Sequence, residues 1–158
     1  MDEREKAQAV GHIPSGLFIV CTTEGEQKDG YLASWVQQVS FSPMLIAVAC
    51  KEGRPGYDRI MAGEVFTVNV VGKHHMDYLK SFWSGYGPED NPFSGIDHKV
   101  SENGGVIINE AKSCIECKMV SKSSPGDHDI VFAEVIASYE LNPAADVKVH
   151  IRKSGLDY

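Results

Sequence analysis

Seven residues, Met44-Leu45-Ile46-Ala47-Val48-Ala49-Cys50, carry no polar side chain and lie between Pro43 and the turn-forming Gly53-Arg54-Pro55-Gly56. So short a run between such breakers is too short for a stable helix and the right length for a strand. A strand without a polar face is expected to be covered on both sides. The chain must therefore build a sheet with packing against each face of this strand.

Other segments supply that sheet. Residues 16–22, 65–71, 113–121 and 129–141 are rich in β-branched and aromatic residues, and 105–108 and 147–151 are shorter runs of the same kind. Residues 123–127 read as the turn between two long strands, and Asp29-Gly30 is a hairpin signal. Three segments have helical character. Residues 1–10 are charged and read as a short helix or a loose arm. Residues 56–63 make a short helix between glycines. Residues 73–83 place Met76, Leu79, Phe82 and Trp83 at helical spacing. Residues 84–100 are rich in Gly, Pro, Asp and Asn and read as a long loop, of the kind that is often functional or a lid.

This predicts a mainly β protein of six or seven strands with two or three short flanking helices. Hairpin connections make the sheet antiparallel, and a closed or split barrel hides its edges best. With 158 residues and neither repeat nor linker, residues 1–158 are expected to form one domain.

Charge and cysteine usage narrow the function. The net charge of -7 argues against general binding to nucleic acid, which needs a basic face. No apolar run approaches the ~20 residues of a membrane span, and no signal core follows the charged N-terminal residues, so a cytoplasmic location is expected. Cys114 and Cys117 have CxxC spacing without a second pair, and a strand there turns them to opposite faces. They read as structural thiols. His74 and His75 are adjacent and cannot chelate together on a helix, and no metal-ligand spacing is present. Nucleophile-elbow, Walker and GxGxxG motifs are absent too, so a nicotinamide cofactor would not sit on a Rossmann unit.

Three places could carry chemistry. Residues 30–43 read either as an amphipathic helix or as a strand. As a strand they place Ser34, Gln38 and Ser40 on a polar face, with Trp35 on the other. Such a strand offers donors and acceptors along the edge of a planar heterocycle and an apolar plate behind it, although a half-exposed outer strand shows the same alternation. Residues 51–57 bring Lys51, Arg54 and two glycines to the start of a short helix, the composition of a phosphate cradle or of a charged turn. His128, in Gly126-Asp127-His128-Asp129, lies at a hairpin mouth, where it could contact substrate or ligand.

These pieces, in this order, resemble one family. Gly16-Leu17-Phe18-Ile19-Val20 is followed by Ala33-Ser34-Trp35 and Ser40-Phe41-Ser42-Pro43. An apolar strand ending Cys50-Lys51 comes next, and then Gly126-Asp127-His128. The chain is similar to flavin reductase-like proteins with an FMN-binding split β-barrel, most nearly to the modules attached to diiron flavoproteins or rubredoxins. The resemblance implies a homodimer with FMN near the interface, reduced by NAD(P)H and passing electrons to a flavin, ferric or protein acceptor. It also admits an electron-transfer module that works with a separate redox protein such as rubredoxin. By resemblance, Ala33, Ser34 and Trp35 line the isoalloxazine edge, mainly through backbone groups. Ser40 and Phe41 approach the ring and ribityl chain, Cys50 and Lys51 hold the phosphate, and His128 borders the nicotinamide. Family members often carry hydroxyls in the phosphate loop. Here none occurs before Tyr57, and Arg54 is expected to serve instead as a charge-assisted ligand.

Overall fold

The computed structural model describes residues 1–158. An N-terminal helix α1 (Glu3–Gly11) is followed by a two-residue strand β1 (Ser15–Gly16). Asp2 and Glu5 close a capping box at the start of α1. Next come β2 (Phe18–Glu24), β3 (Gln27–Ala33), β4 (Val36–Ser40), β5 (Leu45–Cys50), helix α2 (Tyr57–Met61) and β6 (Phe66–Val70). A 3₁₀ turn (Asp77–Leu79) runs into helix α3 (Lys80–Trp83). The chain continues through β7 (His98–Val100), β8 (Val106–Ile108), the long hairpin β9 (Ser113–Ser123) and β10 (Asp129–Glu140), and β11 (Val149–His150).

Seven strands form one antiparallel sheet in the order β3-β2-β6-β9-β10-β5-β4. Its two edges, β3 and β4, are consecutive in the chain and separated only by Ser34 and Trp35. So short a link forces the edges together, and the sheet curls into a barrel split along that seam. Tyr31 on β3 reaches across it to Cys50 on β5, with 3.3 Å between hydroxyl and thiol. All seven strands pack side chains into one interior that includes Val20, Tyr31, Val48, Phe66, Val68, Cys117 and Val131. A second apolar layer covers the outside of β2 and β6. There Ile19, Cys21 and Val71 meet Tyr78, Leu79, Phe82, Phe93 and Ile96. The predicted mainly β, split antiparallel barrel is the architecture observed.

Several local expectations are corrected. Residues 30–43 are two strands on opposite sheet edges, so they are neither a helix nor one continuous strand. Closure of the barrel, which local periodicity cannot register, imposes the break. Strand β5 is not covered on both faces. Ile46, Val48 and Cys50 point inward, while Ala47 and Ala49 are half-buried on the outer face. The run lacks a polar face because its outward residues are small alanines lining a cavity. The strands covered on both sides are β2 and β6. Within 73–83 only the last turn is α-helical, and the apolar residues reach the outer layer through the 3₁₀ turn. The loop at 84–100 buries Phe93 and Ile96 and ends in β7, so it is a packed covering. Residues 147–151 do not close the main sheet; β11 pairs with β1 in a separate ribbon.

The four cysteines are buried free thiols. Cys117 lies in the barrel interior, whereas the Cys114 thiol faces the Val106 carbonyl at 3.9 Å, so the CxxC pair does not act together.

Candidate functional site

The split between β3 and β4 leaves polar backbone without partners. The Trp35 carbonyl accepts from the Ala49 N–H at 3.0 Å, but the Trp35 N–H and both backbone groups of Ser34 have no backbone partner. Ser34 is nevertheless buried. Backbone donors and acceptors of a buried residue are normally satisfied, so the Ser34 groups, with the N–H of the more exposed Trp35 beside them, are open to bond something placed against them.

Three cavities meet at Ser34. An inner one of about 20 Å³ is lined by Ala33, Trp35, Ala49, Lys51, Arg54 and His128, among others. A second, of about 420 Å³, shares Ala33 and Arg54 and is walled by Leu17, Leu32, Leu79, Phe82 and Trp83. A third, of about 720 Å³, runs along the outer faces of Ala47 and Ala49 beside Trp35. On a chain of net charge -7, this junction gathers Lys51, Arg54, Lys148 and Arg152. The Arg152 guanidinium lies 5.1 Å from the centre of the Trp35 ring system.

His128 is fixed from two sides. Its Nδ1 lies 2.8 Å from the Asp127 carboxylate, and its Nε2 bonds the Tyr158 hydroxyl. Its ring stands 4.9 Å from that of Trp35. Asp127 also pairs with Lys51 at 3.5 Å. The bond from His128, with the charge of Lys51 behind it, holds the Asp127 carboxyl below its ordinary range. At the base of the same hairpin Asp129 accepts from Ser124, Tyr57 and Lys122 at 2.5, 2.5 and 3.1 Å. These bonds, that of Ser124 first, lower its pKa to about 2. The hairpin mouth that presents His128 is thus pinned to the loop after β5.

The structure brings together Ala33, Ser34, Trp35, Lys51, Arg54 and His128 around the inner cavity. It places three other predicted residues elsewhere. The Cys50 side chain points into the barrel interior. Ser40 ends β4 away from the three cavities, and Phe41 beyond it is 89% exposed. Helix α2 has only five residues, so the positive character of the loop before it comes from Lys51 and Arg54. Tyr57, the hydroxyl nearest that loop in sequence, is committed to Asp129. Sequence reasoning missed Tyr158, Lys148 and Arg152. Lys148 lies within the short alternating run 147–151, where it reads as the solvent face of a strand, and Arg152 and Tyr158 follow that run with no local pattern to mark them.

Unpartnered backbone along an edge, small alanines beside a tryptophan, and a cluster of cations suit a planar heterocycle carrying phosphate. Residues 10–154 match the family described as flavin reductase like domain. The chain belongs to the flavin reductase-like family. Diflavin flavoprotein A 1 of Synechocystis sp. is 32% identical to this flavin reductase-like chain over 96% of its length, which corresponds to 26% of that protein. The chain thus spans about a quarter of the length of the curated relatives it matches. Among solved structures, the NADH:FAD oxidoreductase SgcE6 of Streptomyces globisporus superposes with a TM-score of 0.82 at 25% identity. That match covers 94% of this chain and 87% of the other. The styrene monooxygenase flavin reductase of Pseudomonas putida S12 shares the fold at a TM-score of 0.79 and 19% identity, covering 91% and 90%. No helix in the chain is long and apolar enough to cross a membrane.

Proposed function

We propose that the chain is an NAD(P)H-dependent flavin reductase that holds FMN against the Ser34–Trp35 seam. The unpartnered backbone of Ser34 and Trp35, at the meeting point of three cavities and within a cluster of cations, carries this reading. When bound, FMN would accept a hydride from NAD(P)H and release the electrons to an acceptor. The chain's own contribution is binding and orientation. Ser34 and Trp35 N–H groups donate to the ring edge, Ala33 and Ala49 leave room beside it, and Lys51 and Arg54 balance the phosphate charge. His128, held by Asp127, borders the nicotinamide side as a hydrogen-bonding group. Ser40 and Phe41 would reach the ring and ribityl chain, and Cys50 the phosphate, only through backbone atoms or a second copy of the chain.

A homodimer is part of the same proposal. Val39, Phe41 and Met44 are exposed on and just beyond edge strand β4, where a second copy would cover them. Four buried thiols suit a reducing cytoplasm. The electron acceptor is proposed to be a flavin, ferric iron or a redox protein.

A second reading has its own support. The relatives are diflavin flavoproteins of which this chain matches about a quarter. In this reading the chain is an FMN-binding electron-transfer module that exchanges electrons with a rubredoxin or diiron flavoprotein and reacts poorly with NAD(P)H. Anaerobic addition of NADH or NADPH to the FMN-loaded protein separates the two. Rapid bleaching of the flavin absorbance supports the reductase. Slow bleaching with either nucleotide but fast bleaching by dithionite supports the module, and failure to bind FMN at all overturns both.

A further inference from the structure

Tyr158 stands between two of the cavities of the candidate site. Its ring centre lies 5.5 Å from the Arg54 guanidinium carbon and 5.7 Å from the Trp35 ring, and its hydroxyl bonds His128 Nε2. The ring lines both the inner cavity of about 20 Å³ and the neighbouring one of about 420 Å³. Ala33, Ser34 and Arg54 line both cavities as well, so the phenol is a partition inside one larger cleft. The inner cavity alone has room for about one water. The neighbouring cavity is already within the size usual for a cofactor site, about 300–1,000 Å³, and withdrawal of the phenol would join it to the inner space bordered by Trp35, Lys51 and His128.

The segment that carries Tyr158 is strapped to α1. The Arg152 N–H donates to the Gly11 carbonyl at 3.2 Å and the Gly155 N–H to the Ala7 carbonyl at 2.6 Å. The two backbones meet through glycines. A Cβ on Gly155 would lie 2.9 Å from the Val10 side chain, and one on Gly11 would lie 2.8 Å from the Ser154 backbone. Tyr158 itself is 60% exposed, so apolar burial does not hold it in place. It is held by a cation–π contact, a hydrogen bond and the strap. Its position is also outside residues 10–154, which match the family.

We propose that Tyr158 is a displaceable plug in the flavin site. Its phenol engages Arg54 and His128 and stands beside Trp35, and FMN enters only when it leaves. This rests on the flavin reading above. A ligand that binds only the open form has its apparent affinity reduced by the open fraction. Removing the plug therefore tightens binding.

The test is the Kd of the apoprotein for FMN, read by flavin fluorescence, for the wild type, Tyr158→Ala, Tyr158→Phe and Gly155→Val. Tyr158→Ala is expected to bind about ten-fold more tightly, or about 1.4 kcal/mol, comparable to one exposed cation–π contact plus one hydrogen bond. Tyr158→Phe keeps the ring under Arg54 and loses the bond to His128, so its gain is smaller. Gly155→Val, which pushes the strap off α1, is expected to bind more tightly than wild type. If wild type and Tyr158→Ala both bind FMN and the variant is unchanged or weaker, the plug alone is overturned. If no variant binds FMN, the flavin reading falls and the plug with it.

Discussion

Burial decides what the four cysteines can do. It pushes the Cys21 and Cys117 thiols up to about 12, drives Cys114 well up, and raises Cys50. Thiolate is the reactive form, so these groups are inert near neutral pH. Ellman's reagent is expected to find no fast-reacting thiol in the native protein and four per chain after denaturation; one fast thiol in the native state would contradict this. Asp129 makes the opposite prediction with pH. Its pKa is depressed to about 2 by Ser124, Tyr57 and Lys122, so its contribution to stability is complete above its unfolded value of about 3.9. That contribution is lost as pH falls through about 2. Asp129→Asn should lower the melting temperature at pH 6, and the gap to wild type should narrow steadily between pH 4 and pH 2. A gap that stays constant over that range would show that the carboxylate charge is not the cause.

At the level of elements, the loop between β5 and α2 depends on two glycines for different reasons. Gly53 has φ +82° with open space around it, whereas Gly56 has φ +79° and a Cβ there would lie 2.4 Å from the Thr22 hydroxyl. Gly53→Ala is expected to cost about 1–2 kcal/mol from backbone conformation alone. Gly56→Ala should cost a further 1–3 kcal/mol or so from overpacking. Equal losses by chemical denaturation would mean that Thr22 yields freely. The elements that could be read from sequence were those whose pattern is set locally. Strands β2 and β6 are rich in β-branched and aromatic residues, with the two polar outward residues of β6, Thr67 and Asn69, bonded to β8 backbone, and the β9–β10 hairpin is marked by Ser123 through Asp127. The break at Ser34–Trp35 was not legible, because no Gly or Pro marks it and long-range closure of the sheet imposes it. The outer face of β5 misled for a related reason. Alanine looks like core in a sequence, yet Ala47 and Ala49 line a cavity.

For the whole molecule, the arrangement of charge matters more than its sum. An acidic chain concentrates Lys51, Arg54, Lys148 and Arg152 about one seam of the barrel, the seam at which Ser34 and the Trp35 N–H have no backbone partner. The sequence pointed to Ser34, Trp35, Lys51, Arg54 and His128, which the fold assembles. It could not point to Tyr158, which reaches the site only because its segment packs along α1. The claim that this seam is the flavin site is tested most directly by an FMN titration of the wild type and of Trp35→Glu. Trp35 is 38% exposed, so the variant should fold while placing a negative charge beside the seam. The wild type is expected to bind one FMN per chain, and Trp35→Glu to bind at least about 100-fold more weakly, a loss of about 2.8 kcal/mol. Full FMN affinity in a folded Trp35→Glu protein would contradict the assignment.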